Sequence, residues 1–118
     1  MSVEHRLIYV IDEIVAKPGK GKIFCDAYMA RYVPGAQERG MTLVHQLVEP
    51  AMWLPEGTNR LFFIWAQSDL GAVWGAKQRA RLDPDVEHWW QEEAPAFIET
   101  RQRYTLAEAA ALTEFDNV

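Results

Sequence analysis

The segment RLFFIWAQ, Arg60 to Gln67, sets the tightest limit on the fold. Side chains in a strand alternate between two faces. One face here takes Leu61, Phe63, Trp65 and Gln67, and the other takes Phe62, Ile64 and Ala66. Both faces are apolar, so both must leave water. Such a strand belongs inside a sheet that is covered on both sides. The chain has 118 residues, enough for one domain spanning 1–118 and little more. Its own helices can cover one side. The simplest cover for the other is a second copy of the chain.

The remaining elements fall around this strand. Arg6 to Ala16 reads as strand 1 from its Ile, Val and Tyr content, and KPGKG ends it. From Gly19 to Val33 the apolar residues Ile23, Phe24, Ala27, Tyr28 and Ala30 recur at helical spacing, and Pro34-Gly35 is expected to interrupt the helix. Met41 to Leu54 reads as strand 2, with Pro50 ending or bulging it, and PEGTN turns the chain into strand 3. Ser68 is expected to cap a helix carrying Leu70, Val73 and Trp74, with Asp69 in its first turn. Asp83-Pro84-Asp85 breaks that helix and caps another, which buries Val86, Trp89, Trp90 and Phe97. Ile98 to Leu106 alternates as strand 4, and an Ala-rich, then acidic tail occupies 107–118. The order β–α–β–β–α–β over a core of 6–106 predicts an α+β, ferredoxin-like domain with a four-stranded antiparallel sheet.

Charge and composition remove several function classes. The formal net charge is −5, which disfavours nucleic acid as a partner. Lys77, Arg79 and Arg81 are read as a solvated helix face. The lone Cys25 allows no intrachain disulfide, and it is expected to be a buried structural thiol. The N-terminus lacks a signal-peptide core, and no apolar run reaches the roughly 20 residues that cross a membrane. The expected location is the cytoplasm, with no membrane partner. The sequence has no Cys pair, no His-x-x-x-His, no phosphate-binding Gly loop and no G-x-S-x-G, so no metal and no cofactor is expected.

Candidate chemistry rests on few residues. Asp12 and Glu13 are neighbours in strand 1 and must face opposite ways. One of them lies among apolar residues, where burial raises a carboxylate pKa unless a cation pairs with it. Arg101 and Arg103 in the adjacent strand 4 are the expected partners. The pair is either a structural ion pair or a proton acceptor for a bound molecule. His45, between Leu43 and Leu47, is either a core histidine or a pocket base. His88 precedes the Trp89-Trp90 pair and is either an outward-facing side chain or an acid–base group. Tyr9, Trp65, Arg101 and Tyr104 are the expected substrate-binding residues, with Trp53 and Tyr28 as further aromatic candidates.

The segments KPGKG, YVPGAQERG, LFFIWAQSDL and DPDVEHWW together resemble the NIPSNAP-like members of the dimeric α/β-barrel superfamily over residues 7–106. In strand 1 that pattern tends to carry an Arg and a Tyr, where this chain has IDEIV. The resemblance implies a homodimer whose sheets pack into an α/β barrel, with a ligand cavity between sheet and helices or at the barrel core. Some cyclase-like relatives carry a functional His near the positions of His88 and His5. The superfamily includes cofactor-free monooxygenases, isomerases and cyclases, and fold alone does not choose among them. The expected function is a cofactor-independent acid–base enzyme acting on a hydrophobic or aromatic small molecule. The alternative is a non-catalytic small-molecule binder or accessory homodimer.

Overall fold

The computed structural model describes residues 8–110 and 112. His5 and the tail from 113 onward lie outside the described residues. One antiparallel sheet is built from β1 (Ile8–Ala16), β2 (Thr42–Glu49), β3 (Arg60–Gln67) and β4 (Ile98–Ala107). Its strand order is β2-β3-β1-β4, the ferredoxin-like arrangement. β1 is therefore central, with Asp12 opposite Phe63 of β3 and Arg103 of β4.

Helices cover one face. The first helical segment runs through α1 (Gly21–Ala27), a π-turn (Tyr28–Tyr32) and α2 (Val33–Glu38). The interruption expected at Pro34-Gly35 does not occur. Pro34 lies in the first turn of α2, directly after the π-turn. A proline ring needs room at the carbonyl four residues back, and a π-turn opens the ladder at that point. The second helical segment comprises α3 (Leu70–Arg81), α4 (Pro84–His88), another π-turn (Trp89–Glu93) and a 3-10 turn (Ala94–Ala96). Asp69, not Ser68, caps α3: its Oδ1 accepts from the Ala72 N–H at 2.7 Å. Among the described residues no helix is long and apolar enough to cross a membrane.

The core lies between this layer and the sheet. Ile8, Val10 and Ile14 of β1 meet Leu61, Phe63 and Trp65 of β3, all buried. Each contributes about 1.5–3 kcal/mol by leaving water. Phe24, Tyr28 and Trp89 close the core from the helices, with the Tyr28 and Phe63 rings stacked at a centroid separation of 3.7 Å. Among the described residues none forms a layer on the other face of the sheet. Ile11, Phe62 and Ile64 are half-buried there, while Leu47 is 50% and Tyr104 40% exposed.

Strand β2 is shorter than the sequence predicts, and it is bulged. Leu43 pairs with Trp65 and His45 with Ile64, so Val44 is extra. Leu43 and His45 were expected on one face. The bulge separates them and leaves His45 on the open face beside Leu47. β2 stops at Glu49 because Pro50 cannot donate to the ladder. The connection to β3 is closed by buried Asn59, whose Oδ1 accepts from the Leu54 N–H at 3.0 Å and whose Nδ2 donates to the Met52 carbonyl at 2.9 Å. This loop lies on the KPGKG turn. Gly19 has φ +73°, and a Cβ there would stand 2.5 Å from the Pro55 carbonyl oxygen. A Cβ on Gly21 would stand 2.9 Å from Cβ of Asn59.

Candidate functional site: a buried carboxylate under an aromatic and cationic cleft

The alternation of β1 and β4 assembles the site. Asp12 is an inward position of β1, and Arg101 and Arg103 are the inward positions of β4 beside it. Asp12 is 0% exposed. Arg103 grips it with two bonds, Nε to Oδ1 at 2.7 Å and Nη2 to Oδ2 at 2.8 Å. This is the bidentate form, stronger than a single contact. Arg101 Nη2 stands 3.4 Å from Asp12 Oδ1. From the first π-turn, the Tyr28 hydroxyl donates to Oδ2 at 2.7 Å and accepts from Trp65 Nε1 at 2.8 Å. Arg103 Nη2 also donates to the Tyr32 hydroxyl at 2.9 Å.

The second π-turn supplies the opposite wall. The Arg101 guanidinium lies 3.7 Å from the Trp90 ring centroid, in cation–π contact. Tyr32 and Trp90 meet edge to face at 5.3 Å. Both aromatic pairs therefore come from π-turns, which widen the helix and re-aim its side chains.

The electrostatics fix the protonation states. Burial alone would raise the Asp12 pKa, but the hydrogen bonds and charge of Arg103, the charge of Arg101 and the Tyr28 hydroxyl outweigh it and hold the carboxyl below its ordinary value. Burial, and then the charge of Asp12, push Tyr28 well above the usual phenol range. Burial opposes the charge of Arg103, but its hydrogen bond to Asp12 and the aspartate charge raise its pKa overall. Burial lowers that of Arg101, partly offset by Asp12. Asp12 is thus an anion and Tyr28 a neutral phenol at pH 7, and neither exchanges a proton near neutrality.

Above this cluster lies a cleft of about 410 Å³, lined by Tyr32, Trp90, Arg101, Arg103, Lys77, Arg81, Glu87 and neighbouring side chains. That volume suits a small organic molecule. Lys77, Arg81, Arg101 and Arg103 face Glu87 and the underlying Asp12, which is four cations against two carboxylates. Lys77 and Arg81, expected to be only a solvated face, line the cleft edge. Arg79, expected there too, donates to the Arg39 carbonyl.

The expected site residues divide between the two sides of the sheet. Asp12, Arg101 and Trp65 belong to the helix side, with Trp65 fully buried behind Tyr28. Tyr9, Glu13, His45 and Tyr104 occupy the open face. There the Tyr104 hydroxyl donates to Glu13 at 3.1 Å, and Arg60 stands 3.7 Å from the same carboxylate. His88 is exposed and lies 3.5 Å from Glu93. His45 and His88 therefore do not meet Asp12. Arg103 was expected only as a partner of the strand 1 carboxylate, and Tyr32, Trp90 and Lys77 were not expected as site residues. The signals were present: Arg103 is two residues from Arg101, and Tyr32 is one helical turn from Tyr28. Cys25 is buried, and burial raises its thiol pKa. No three His, Cys, Asp or Glu side chains are grouped to hold a metal among the described residues.

No protein-family model and no curated protein matches the sequence. Solved structures do match in shape. An uncharacterized NIPSNAP-like domain protein from Burkholderia xenovorans superposes with a TM-score of 0.70 at 11% identity, over 90% of this chain and 88% of that one. A NIPSNAP family protein of unknown function from Agrobacterium tumefaciens gives 0.70 at 17% identity, over 89% and 90%. A second NIPSNAP domain protein from Burkholderia xenovorans gives 0.69 at 16% identity, over 87% and 95%. At these identities the likeness concerns the fold: the four-stranded antiparallel sheet and its helical layer are those of NIPSNAP-like proteins.

Proposed function

We propose that the protein binds a small organic molecule with an aromatic or apolar body, in the cleft between β4, α3 and the Trp89–Glu93 turn. One observation carries the reading. A buried ion cluster with two arginines for one carboxylate forms the floor of a cleft walled by Trp90 and Tyr32. Burying such a cluster is costly, and packed apolar residues would serve stability as well. Its presence under an open cleft favours a binding role. The groups expected to move protons do not converge here, so the reading is binding rather than acid–base turnover.

The binding form is a homodimer joined through the open face. Ile11, Phe62, Ile64 and Leu47 form an apolar surface on that face, of the kind that marks an interface. Sedimentation should give a dimer for the native chain and a monomer for Ile64→Lys. A native monomer at micromolar concentration contradicts the dimer. For the cleft, the test is an NMR screen of small aromatic fragments, neutral and charged. Hits should shift the amides around Lys77, Trp90 and Arg101. Hits confined to the open face, or no hits, contradict the cleft.

A further inference from the structure

We infer that the ligand is an organic carboxylate whose anionic end enters a recess lined by Arg39, Lys77 and Arg103. This rests on the proposal that the cleft is a binding site. The recess holds about 40 Å³ and shares Tyr32, Lys77, Ala80 and Arg103 with the outer cleft. That is room for about three or four waters, or for one carboxylate group, at on the order of 10–15 Å³ per water.

The recess is short of acceptors. Arg39 is only 6% exposed, yet its Nε and Nη2 have no hydrogen-bond partner among the described residues. Its one ion pair among the described residues, to Asp83, is long at 3.7 Å. In the outer cleft, Arg101 Nε is also buried with no hydrogen-bond partner among the described residues. Buried donors of this strength are normally satisfied, and an unpaired one is costly. Arg103 is already committed to Asp12 and Tyr32. Among the described residues Lys77 is held only over the exposed Trp74 ring, at 5.0 Å.

The other recess walls are apolar, formed by Val10, Met41, Val73 and Ala76. They lower the local dielectric and strengthen any charge pair made there. A carboxylate supplies acceptors in the planar form that a guanidinium matches. Gln67 also lines the recess: its Nε2 donates to the Ala72 carbonyl at 3.2 Å, and its Oε1 has no partner among the described residues. The body of the molecule then lies in the outer cleft against Trp90 and Tyr32.

Calorimetric titration with phenylacetate and its neutral counterpart phenylacetamide tests this, with NMR locating each. Phenylacetate should bind at least about tenfold more tightly than the amide. Arg39→Met should weaken phenylacetate at least about tenfold and leave the amide unchanged. Lys77→Gln, at an exposed position that tolerates change, should weaken phenylacetate about threefold. Equal affinity for acid and amide, with both in the cleft, overturns the carboxylate while leaving the binding reading intact. Equal affinity of native protein and Lys77→Gln for the acid counts against the recess. Shifts confined to the open face overturn both readings. Failure of phenylacetate to bind at about 10 mM, about −2.7 kcal/mol, overturns the carboxylate assignment.

Discussion

Removing Arg103 isolates the electrostatic core of this fold. Arg103→Met keeps most of the side-chain volume and deletes both bonds to Asp12. Asp12 stays fully buried, with the Tyr28 hydroxyl and Arg101 at 3.4 Å as its remaining partners. Breaking a buried pair from one side costs about 3–5 kcal/mol. Arg101 takes over part of the charge, so the lower figure is expected, about 3 kcal/mol. A domain of this size is stable by roughly 5–15 kcal/mol, and the loss should lower Tm by roughly 10–18 °C.

The effect also has a pH signature. In the native chain the folded pKa of Asp12 is depressed. Its contribution is fully present above the unfolded carboxylate value of about 3.9 and disappears as pH falls through the lower folded value. In Arg103→Met the desolvation of Asp12 is no longer outweighed, and its folded pKa rises above 3.9. Protonation then relieves the variant as pH falls, so the gap between variant and native protein should narrow as pH falls toward that raised value. Urea denaturation followed by tryptophan fluorescence, at fixed protein concentration, measures both quantities. A loss under about 1 kcal/mol, or a gap that does not change with pH, refutes the reasoning.

Tyr28→Phe removes the hydroxyl that links Asp12 to Trp65 and leaves the indole N–H buried without a partner. A loss of about 1–3 kcal/mol in denaturant midpoint analysis is expected. Asn59→Ala releases the hydrogen bonds that tie 52–54 to β3, and should cost about 1–3 kcal/mol and speed hydrogen exchange at Leu54. His45→Ala sits on the exposed open face, so stability should change by less than about 0.5 kcal/mol and fragment shifts in the cleft should persist. If that variant loses cleft binding instead, the division of the site by the sheet is wrong.

Much of the architecture is legible in the residues, because strand alternation and helical spacing are local and dense. RLFFIWAQ gave the bounds of β3, and the carboxylate–arginine pairing across β1 and β4 follows from two alternating strands in a ferredoxin-like order. What stays hidden depends on single inserted residues. The bulge at Val44 reverses the facing of His45 relative to Leu43, and no residue type in TLVHQLVE announces it. The two π-turns have no composition of their own, yet they bring Tyr28, Tyr32 and Trp90 to the cluster. Pro34-Gly35 looks like a stop because its sequence neighbours do not show that the ladder opens just before it. Arg39 sits among polar residues in AQERG and reads as surface; only tertiary packing reveals it as buried.

The contact between the KPGKG turn and the β2–β3 connection bears on how this chain can change in length. Surface loops usually accept insertions, since closing a longer loop adds little entropy. This one is fixed at several points. Gly19 N–H donates to the Gly57 carbonyl at 2.9 Å, Ala16 N–H to the Asn59 carbonyl at 3.0 Å, and Pro55 lies against Gly19 where any side chain would collide. An extra residue between Met52 and Gly57 would displace a segment seated on bare backbone. The hairpin and the first turn therefore vary together or not at all, and length variation near this edge of the sheet requires paired changes in both segments.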